Sequence, residues 1–306
     1  MKYTLHQLQV FVEIVNKGSV TKASEALFLT QPAVSIQLKK FQDQFPLPLT
    51  EVIGRKLYVT PFGTEIAVAA KRILEEVAAI EYKTSRYQGK LAGKLSISVV
   101  STGKYVMPYY LSDFVNAHPD IDFSMDVTNK LKVVRDLEEN KVDFALVSVL
   151  PDHLELSRMP LLPNRLYLVG SAVHETNREG SEQLIFKEQP LLYREQGSAT
   201  RNAMEAFIQG KNLPVSKKIE LTSNEALKQA VIAGLGYSIM PMIGIRNAVN
   251  QGAISVIPFD GLPIETQWNL VWRKKKKLSP VAASFLEYLE REKTAITSKF
   301  FDWVDE

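Results

Sequence analysis

Cysteine is absent from the 306 residues and histidine is scarce, with four. The missing thiols exclude disulfides, thiolate metal sites, iron–sulfur clusters and cysteine nucleophiles, and suit a reducing compartment. His6, His118, His153 and His174 are far apart with no metal-ligand spacing, and His174-Glu175 lacks the second histidine of a zincin. Long hydrophobic runs are missing too. The longest uncharged stretch, Gln229 to Ile245, contains Gly234, Gly236, Pro241 and Gly244 and falls short of the about 20 apolar residues that cross a bilayer. Gln7, Gln9, Glu13, Asn16 and Lys17 interrupt any signal-peptide core, so no membrane association and a cytoplasmic location are expected. There is no Walker loop or nucleophile elbow, and Gly234-Leu235-Gly236 falls on a helix-to-strand turn. Neither an enzyme, a metal nor a cofactor is expected.

A surplus of one charge sign is also lacking overall: the net charge is +3. The surplus is unevenly placed, however, with +4 over residues 1–90 and −1 over the rest. Such asymmetry fits nucleic-acid contact at the N-terminal end, or an unevenly solvated surface.

Residues 1–61 read as a compact unit of three helices and a hairpin. Leu5, Leu8, Phe11, Val12 and Val15 recur at helical spacing; Gly18 stops that helix, and Ser19 or Thr21 caps a second with Ala23, Ala26 and Leu27 on its apolar side. Thr30 caps a third, with Pro32 in its first turn and Val34, Leu38 and Phe41 facing inward. Val52 to Thr60 reads as a hairpin with Gly54 at its turn and Arg55 and Lys56 near its tip. A long helix follows over about 62–87. Its residues Ile66, Ala70, Ile73, Val77 and Ile80 step by fours and threes, the spacing of a coiled-coil seam between subunits; packing within one domain produces the same stripe. Beyond the hinge at Gln88 to Lys94, strands and helices alternate as βαβαβ, which implies parallel strands with helices on their faces, and a second alternating set follows.

The segment Ser19 to Phe41 has helix-turn-helix proportions. Its last helix exposes Gln31, Ser35, Gln37, Lys39 and Lys40 opposite its apolar side. Glutamine can read adenine in the major groove, serine a base edge or phosphate, and lysine the backbone. A generic three-helix packing unit would show the same pattern.

The blocks LHQLQVFVEIV (5–15), GSVTKASEALFLTQPAVSIQLKKFQ (18–42) and RKLYVTPFG (55–63) resemble the LysR-type transcriptional regulators. The resemblance implies an α/β protein with an N-terminal all-α winged helix-turn-helix (1–61), a linker and dimerisation helix (62–89), and a two-lobed effector domain like type 2 periplasmic binding proteins (91–306). Lobe 1 would take about 91–161 and 267–293, lobe 2 about 162–266, leaving a tail at 294–306. It assigns base and phosphate contact to Gln31, Pro32, Ser35 and Gln37, with Thr30 capping their helix and Arg55 on the wing; Lys39 is expected to hold the DNA backbone beside them, and the 66–80 seam to pair subunits. Ile36 stands where many relatives place arginine, and Glu51-Val52-Ile53 replaces a commonly basic approach to the wing.

Between the lobes, strand ends and helix starts offer hydroxyls and free backbone N–H groups that stabilise an anion. Ser101, Thr102, Asn129, Ser148, Ser198, Thr200 and Ser223 occupy such positions; plain helix capping explains any one of them, and the set favours a ligand site. Lys104 and Tyr105 are further phosphate candidates, or a surface lysine and a core tyrosine. Arg273 to Lys277 is a basic run, read as a solvated loop. VVSTGKYVMP (99–108) most resembles the carbon-metabolism regulators of the family, which implies a phosphorylated or other anionic effector. The expected partners are promoter DNA, further copies of the chain as a homodimer or homotetramer, the effector, and RNA polymerase. A solute-binding protein or a small-molecule enzyme using the α/β cleft is the alternative, and neither explains residues 1–60.

Overall fold

The computed structural model describes residues 3–54, 56–87, 91–174 and 183–304. The chain divides into two units, residues 1–90 and 91–306.

In the first unit, Thr4 and Gln7 cap α1 (Leu5–Lys17) reciprocally, each side chain accepting from the other's backbone N–H. Gly18, at φ +61°, ends the helix in the left-handed conformation that glycine adopts without strain. The expected single apolar face is in fact two. Leu8 and Phe11 pack with Phe41, Leu49, Ala67 and Ala70, while Val10 and Ile14 pack with Ala23 and Val34. Leu5, placed inward by spacing, is exposed. Helix α1 is flanked on both sides, by α4 (Pro61–Tyr87) and by the pair α2 (Val20–Ala26) and α3 (Gln31–Gln42), so burial exceeds one stripe.

Ser19, not Thr21, caps α2, and Thr30 caps α3 by accepting from Ala33 N. Strands β1 (Thr50–Ile53) and β2 (Lys56–Val59) form the antiparallel hairpin, starting two residues before the expected position. Gly63 lets α4 lie against the chain at Leu49: a Cβ there would come within 2.0 Å of Leu49 O.

The second unit is built on a seven-stranded sheet of order β10-β6-β11-β5-β3-β4, with β9 also paired to β6. Strand β3 (Gly93–Val100) lies between the edge strand β4 (Ile121–Thr128) and β5 (Phe144–Val147) and runs parallel to both, and α5 (Met107–Ala117) and α6 (Lys130–Glu138) make the crossovers. Two long antiparallel strands, β6 (Leu156–Ser171) and β11 (Ile264–Arg273), carry the chain between two lobes, and their register shifts at Trp268/Asn269. One core joins residues from 95–162 with residues from 268–304; two others lie within 166–264.

The second lobe contains α7 (Gln183–Glu188), the parallel pair β7 (Pro190–Arg194) and β8 (Lys217–Leu221), α8 (Ala199–Gly210), α9 (Asn224–Ile232), β9 (Ser238–Pro241), α10 (Met242–Asn250) and β10 (Ile254–Ile257). Helices α7 and α10 were not expected. Pro241 and Gly244 look like breakers, yet proline at the cap position of α10 loses no needed hydrogen bond. The last helix, α11 (Pro280–Phe300), also runs past the expected end at Glu292, and Phe301 and Val304 bury in the first core. Residues 294–304 are therefore part of that lobe's packing.

Candidate functional site

Helix α3 presents two faces. Val34 and Phe41 are fully buried, and at about 100° per residue Pro32, Ile36, Lys39 and Lys40 project to the other side, where all four are exposed. Gln31 Nε2 donates to Ser35 Oγ at 2.8 Å, so these two side chains order each other. Gln37 is half-buried at the edge of the face. The Thr30 hydroxyl is engaged as the helix cap. Arg55 lies outside the described residues.

The seam expected on α4 divides. Ala70 is buried in its own unit's core and Ile66 packs against it, while Ile73 and Ile80 are exposed, Ile80 by 63 per cent; Val77 is half-buried. The identical spacing serves intradomain packing in its first part and leaves Ile73 and Ile80 exposed in its second.

In the second unit, Ser101, Thr102, Asn129, Ser198 and Thr200 come together in one cleft between the lobes, with Lys130, Arg194, Glu195 and Ala199. Two helix N-termini meet there: α6, capped by Asn129, and α8, where the Ser198 hydroxyl makes no capping bond. Both direct partial positive charge at the cleft. Lys132 is held by Asp126 and Asp136, and its pKa is raised, foremost by the hydrogen bond to Asp126. Lys130 makes no ion pair among the described residues.

Spacing alone did not reveal Arg194. It stands at the carboxyl end of β7 and is 3 per cent exposed. Its Nε and Nη2 donate to the two Glu195 carboxylate oxygens, each at 2.7 Å, Nη1 donates to Asn224 Oδ1, and Nη2 reaches across to Ser101 Oγ at 3.1 Å. Asn224 Nδ2 also donates to Ser101 Oγ, at 3.2 Å. Arg201 Nη1 braces the Arg194 carbonyl at 3.0 Å and pairs with Glu205 and Glu220. Of five guanidinium donors, Arg194 retains one, on Nη1. The legible signal was a charged pair, Arg194-Glu195, directly after an apolar strand, where open α/β sheets bind ligands.

Four expectations fall elsewhere. Ser223 spends its hydroxyl capping α9 at Ala226 N. Ser148 follows β5 and is not among the cleft's lining residues. Tyr105 packs its ring toward Gly244 with the Lys104 ammonium 5.0 Å from the ring centroid. In the basic run, Arg273 and Lys276 bond to the carbonyls of Glu138 and Val142, and Lys276 pairs with Asp143 at 3.0 Å.

Comparison with known proteins identifies both parts of the chain. Residues 5–64 match the bacterial regulatory helix-turn-helix proteins of the lysR family, and residues 88–294 match the LysR substrate binding domain. The HTH-type transcriptional activator CmpR of Synechocystis is 36% identical over 96% of this chain and 97% of its own length. The RuBisCO operon transcriptional regulator of Allochromatium vinosum is 33% identical, over 95% and 97%. Among solved structures, the regulatory domain of Synechocystis CcmR in complex with 2-PG superposes with a TM-score of 0.60 at 29% identity, covering 64% of this chain and 95% of that one. Full-length OxyR from Pseudomonas aeruginosa shares the fold over 97% of this chain and 95% of its own, with a TM-score of 0.68 at 21% identity. No helix among the described residues is long and apolar enough to cross a membrane. The chain belongs to the LysR family of transcriptional regulators, DNA-binding proteins with an effector-binding domain and not enzymes.

Proposed function

We propose that this regulator responds to a small phosphorylated metabolite held between its lobes by Ser101, Thr102, Asn129, Lys130, Ser198, Thr200 and the last free donor of Arg194. The observation that carries this reading is the convergence of the α6 and α8 N-termini, from opposite lobes, on one cleft with an unpaired lysine. Glu195 also lines the cleft, and Arg194 neutralises it. The relative CcmR binding 2-PG supports a phosphorylated carboxylate as the class.

The cleft encloses only about 10 Å³, room for about one water molecule. A ligand must therefore part Arg194 from Ser101, which gives it differential affinity for two lobe arrangements; only such a difference can shift DNA binding. No cofactor takes part. The exposed face of α3, with Gln31, Pro32, Ser35, Gln37 and Lys39, reads promoter DNA, helped by Thr30 as cap and Arg55 on the wing. The stripe through Ile73, Val77 and Ile80 pairs two subunits of a cytoplasmic dimer or tetramer, and RNA polymerase is the protein partner.

Calorimetric titration of the full-length protein with 2-phosphoglycolate, followed by a mobility-shift assay on its upstream DNA with and without that compound, tests the reading. Saturable heat with an altered shift supports it. No binding of 2-phosphoglycolate or of other small phosphorylated carboxylates overturns the effector class, and equal affinity for random duplex overturns DNA readout.

A further inference from the structure

The second unit holds another cavity, apart from the cleft and roomier than it. It lies where β6, α10 and the last turn of the chain meet, and its volume is about 260 Å³, just under the ~300 Å³ at which small-molecule pockets usually begin. Its walls come from both lobes. Helix α10 packs with the second lobe through Ile245 and Ala248, whereas Val304 and Trp303 belong to the first lobe's core. Arg165 on β6 ties the two together: Nη1 donates to Val304 O and Nε to Glu265 Oε1 on β11 at 3.1 Å. The adjoining residue pair is the register shift at Trp268/Asn269, where the long strands pass from one lobe to the other.

The chemistry of the walls is specific. Tyr167, Met242 and Val249 make an apolar side. In the same lining, the Arg246 guanidinium lies over the Trp303 ring, 4.3 Å from its centroid, and makes no ion pair among the described residues. A cation stacked on an aromatic face is held in place while its N–H edges stay available for a carboxylate. Asn164 lines the same cavity, is 6 per cent exposed and donates from Nδ2 to Thr266 Oγ1 at 2.8 Å; its buried Oδ1 accepts only, so a carboxylate is held by Arg246 and not by this amide.

We propose that this cavity is a second ligand site, independent of the cleft, that takes a monocarboxylate with an apolar body. The carboxylate pairs with Arg246 and the body lies on Trp303 and Tyr167. Because its walls belong to both lobes beside their strand crossing, occupancy biases the lobe arrangement from the side opposite in chemistry to the phosphate-type cleft: apolar, with one cation.

The test titrates the full-length protein with phenylacetate and, as a probe of equal body and opposite charge, phenethylamine, following heat and tryptophan fluorescence. Saturable binding of phenylacetate alone is expected, with Arg246→Gln weakening it at least tenfold, Arg246→Lys restoring part, and Trp303→Phe removing most of the fluorescence response. The thermal midpoint of each variant reports that it is folded. Lys130→Ala, which changes the cleft's charge without touching the Arg194–Ser101 contact between the lobes, should leave phenylacetate affinity within twofold, which separates this site from the cleft. Equal binding of the amine, an unaffected Arg246→Gln, loss of binding in Lys130→Ala, or no saturable binding overturns the proposal. So does a change of sedimentation rather than of ligand affinity in Arg246→Gln, which would make the cavity a contact between copies.

Discussion

Arg194 Nη2 donates to Ser101 Oγ across the cleft at 3.1 Å, beside Asn224 Nδ2 on the same oxygen at 3.2 Å, so a buried guanidinium and the amide that positions it join the two lobes at the anion site. The Arg194 side chain is positioned by Glu195 and Asn224 and its backbone by Arg201. Hydrogen bonds to charged groups contribute about 1.5–3 kcal/mol, so Arg194→Ala is expected to weaken 2-phosphoglycolate about 10- to 100-fold by calorimetry. Arg194→Lys keeps the charge and loses the fork, and should recover only part. Affinity within twofold of wild type in both variants would remove Arg194 from the site.

The outward face of α3 is centred on an apolar residue. Ile36 is 53 per cent exposed, opposite Val34 and Phe41 and flanked by Pro32, Lys39 and Lys40. A side chain without donors reads a base only by van der Waals contact, and the apolar feature of the major-groove floor is the thymine methyl. Replacing the contacted thymine by deoxyuridine should cost about 0.8 kcal/mol, about fourfold in affinity. The penalty should vanish in Ile36→Ala, and Ile36→Arg should shift preference at that position toward guanine. A mobility-shift series with single deoxyuridine substitutions measures this; no uracil-sensitive position, or one that persists in Ile36→Ala, would refute it.

Much of this was legible because caps and breakers act locally. Ser19, Thr30, Asn129 and Ser223 each sit where a free backbone N–H needs an acceptor, and the parallel strands announced themselves by β-branched runs between helices. What stayed hidden depends on partners distant in sequence. The double-sided burial of α1 requires knowing that α4 returns to it. The role of Arg194 requires Ser101 and Asn224, from other elements. Ser223 and Ser198 look alike as helix starts, yet one hydroxyl is consumed by its cap and the other is not.

The divided stripe on α4 separates stability from assembly. Ala70→Asp places an unpaired charge in the core formed with Phe11 and Phe41 and should destabilise the first unit by roughly 3–5 kcal/mol. Ile73→Asp lies on the exposed side and should dissociate the dimer in sedimentation while leaving the helical circular dichroism unchanged. An unchanged sedimentation profile for Ile73→Asp would return the whole stripe to packing within the chain.

Phe301 joins the end of the chain to the first lobe. Its ring centroid lies 5.2 Å from that of Tyr109 and 6.0 Å from that of Tyr110, and it is buried with Val304. Phe301→Ala should cost about 3–5 kcal/mol in chemical denaturation, as aromatic-to-alanine changes in cores do. A loss below 1 kcal/mol would mean that the segment is dispensable to the lobe.

Tyr110 gives that lobe a definite alkaline limit. Burial pushes its pKa up to about 12, against the smaller opposing effect of the hydrogen bond with Thr297 Oγ1 at 2.6 Å. The unfolded chain releases this proton near the ordinary value of about 10, so between pH 10 and 12 the folded state binds more protons and stability falls as pH rises. Below pH 10 the group contributes no slope. Denaturation midpoints of wild type and Tyr110→Phe, measured from pH 8 to 11.5, should run parallel up to about pH 10 and then diverge, the variant falling less steeply. Tyrosinate absorbance should show one fewer late-titrating group in the variant. Parallel curves throughout would mean that Tyr110 ionises without opposing the packing of Phe301 above it.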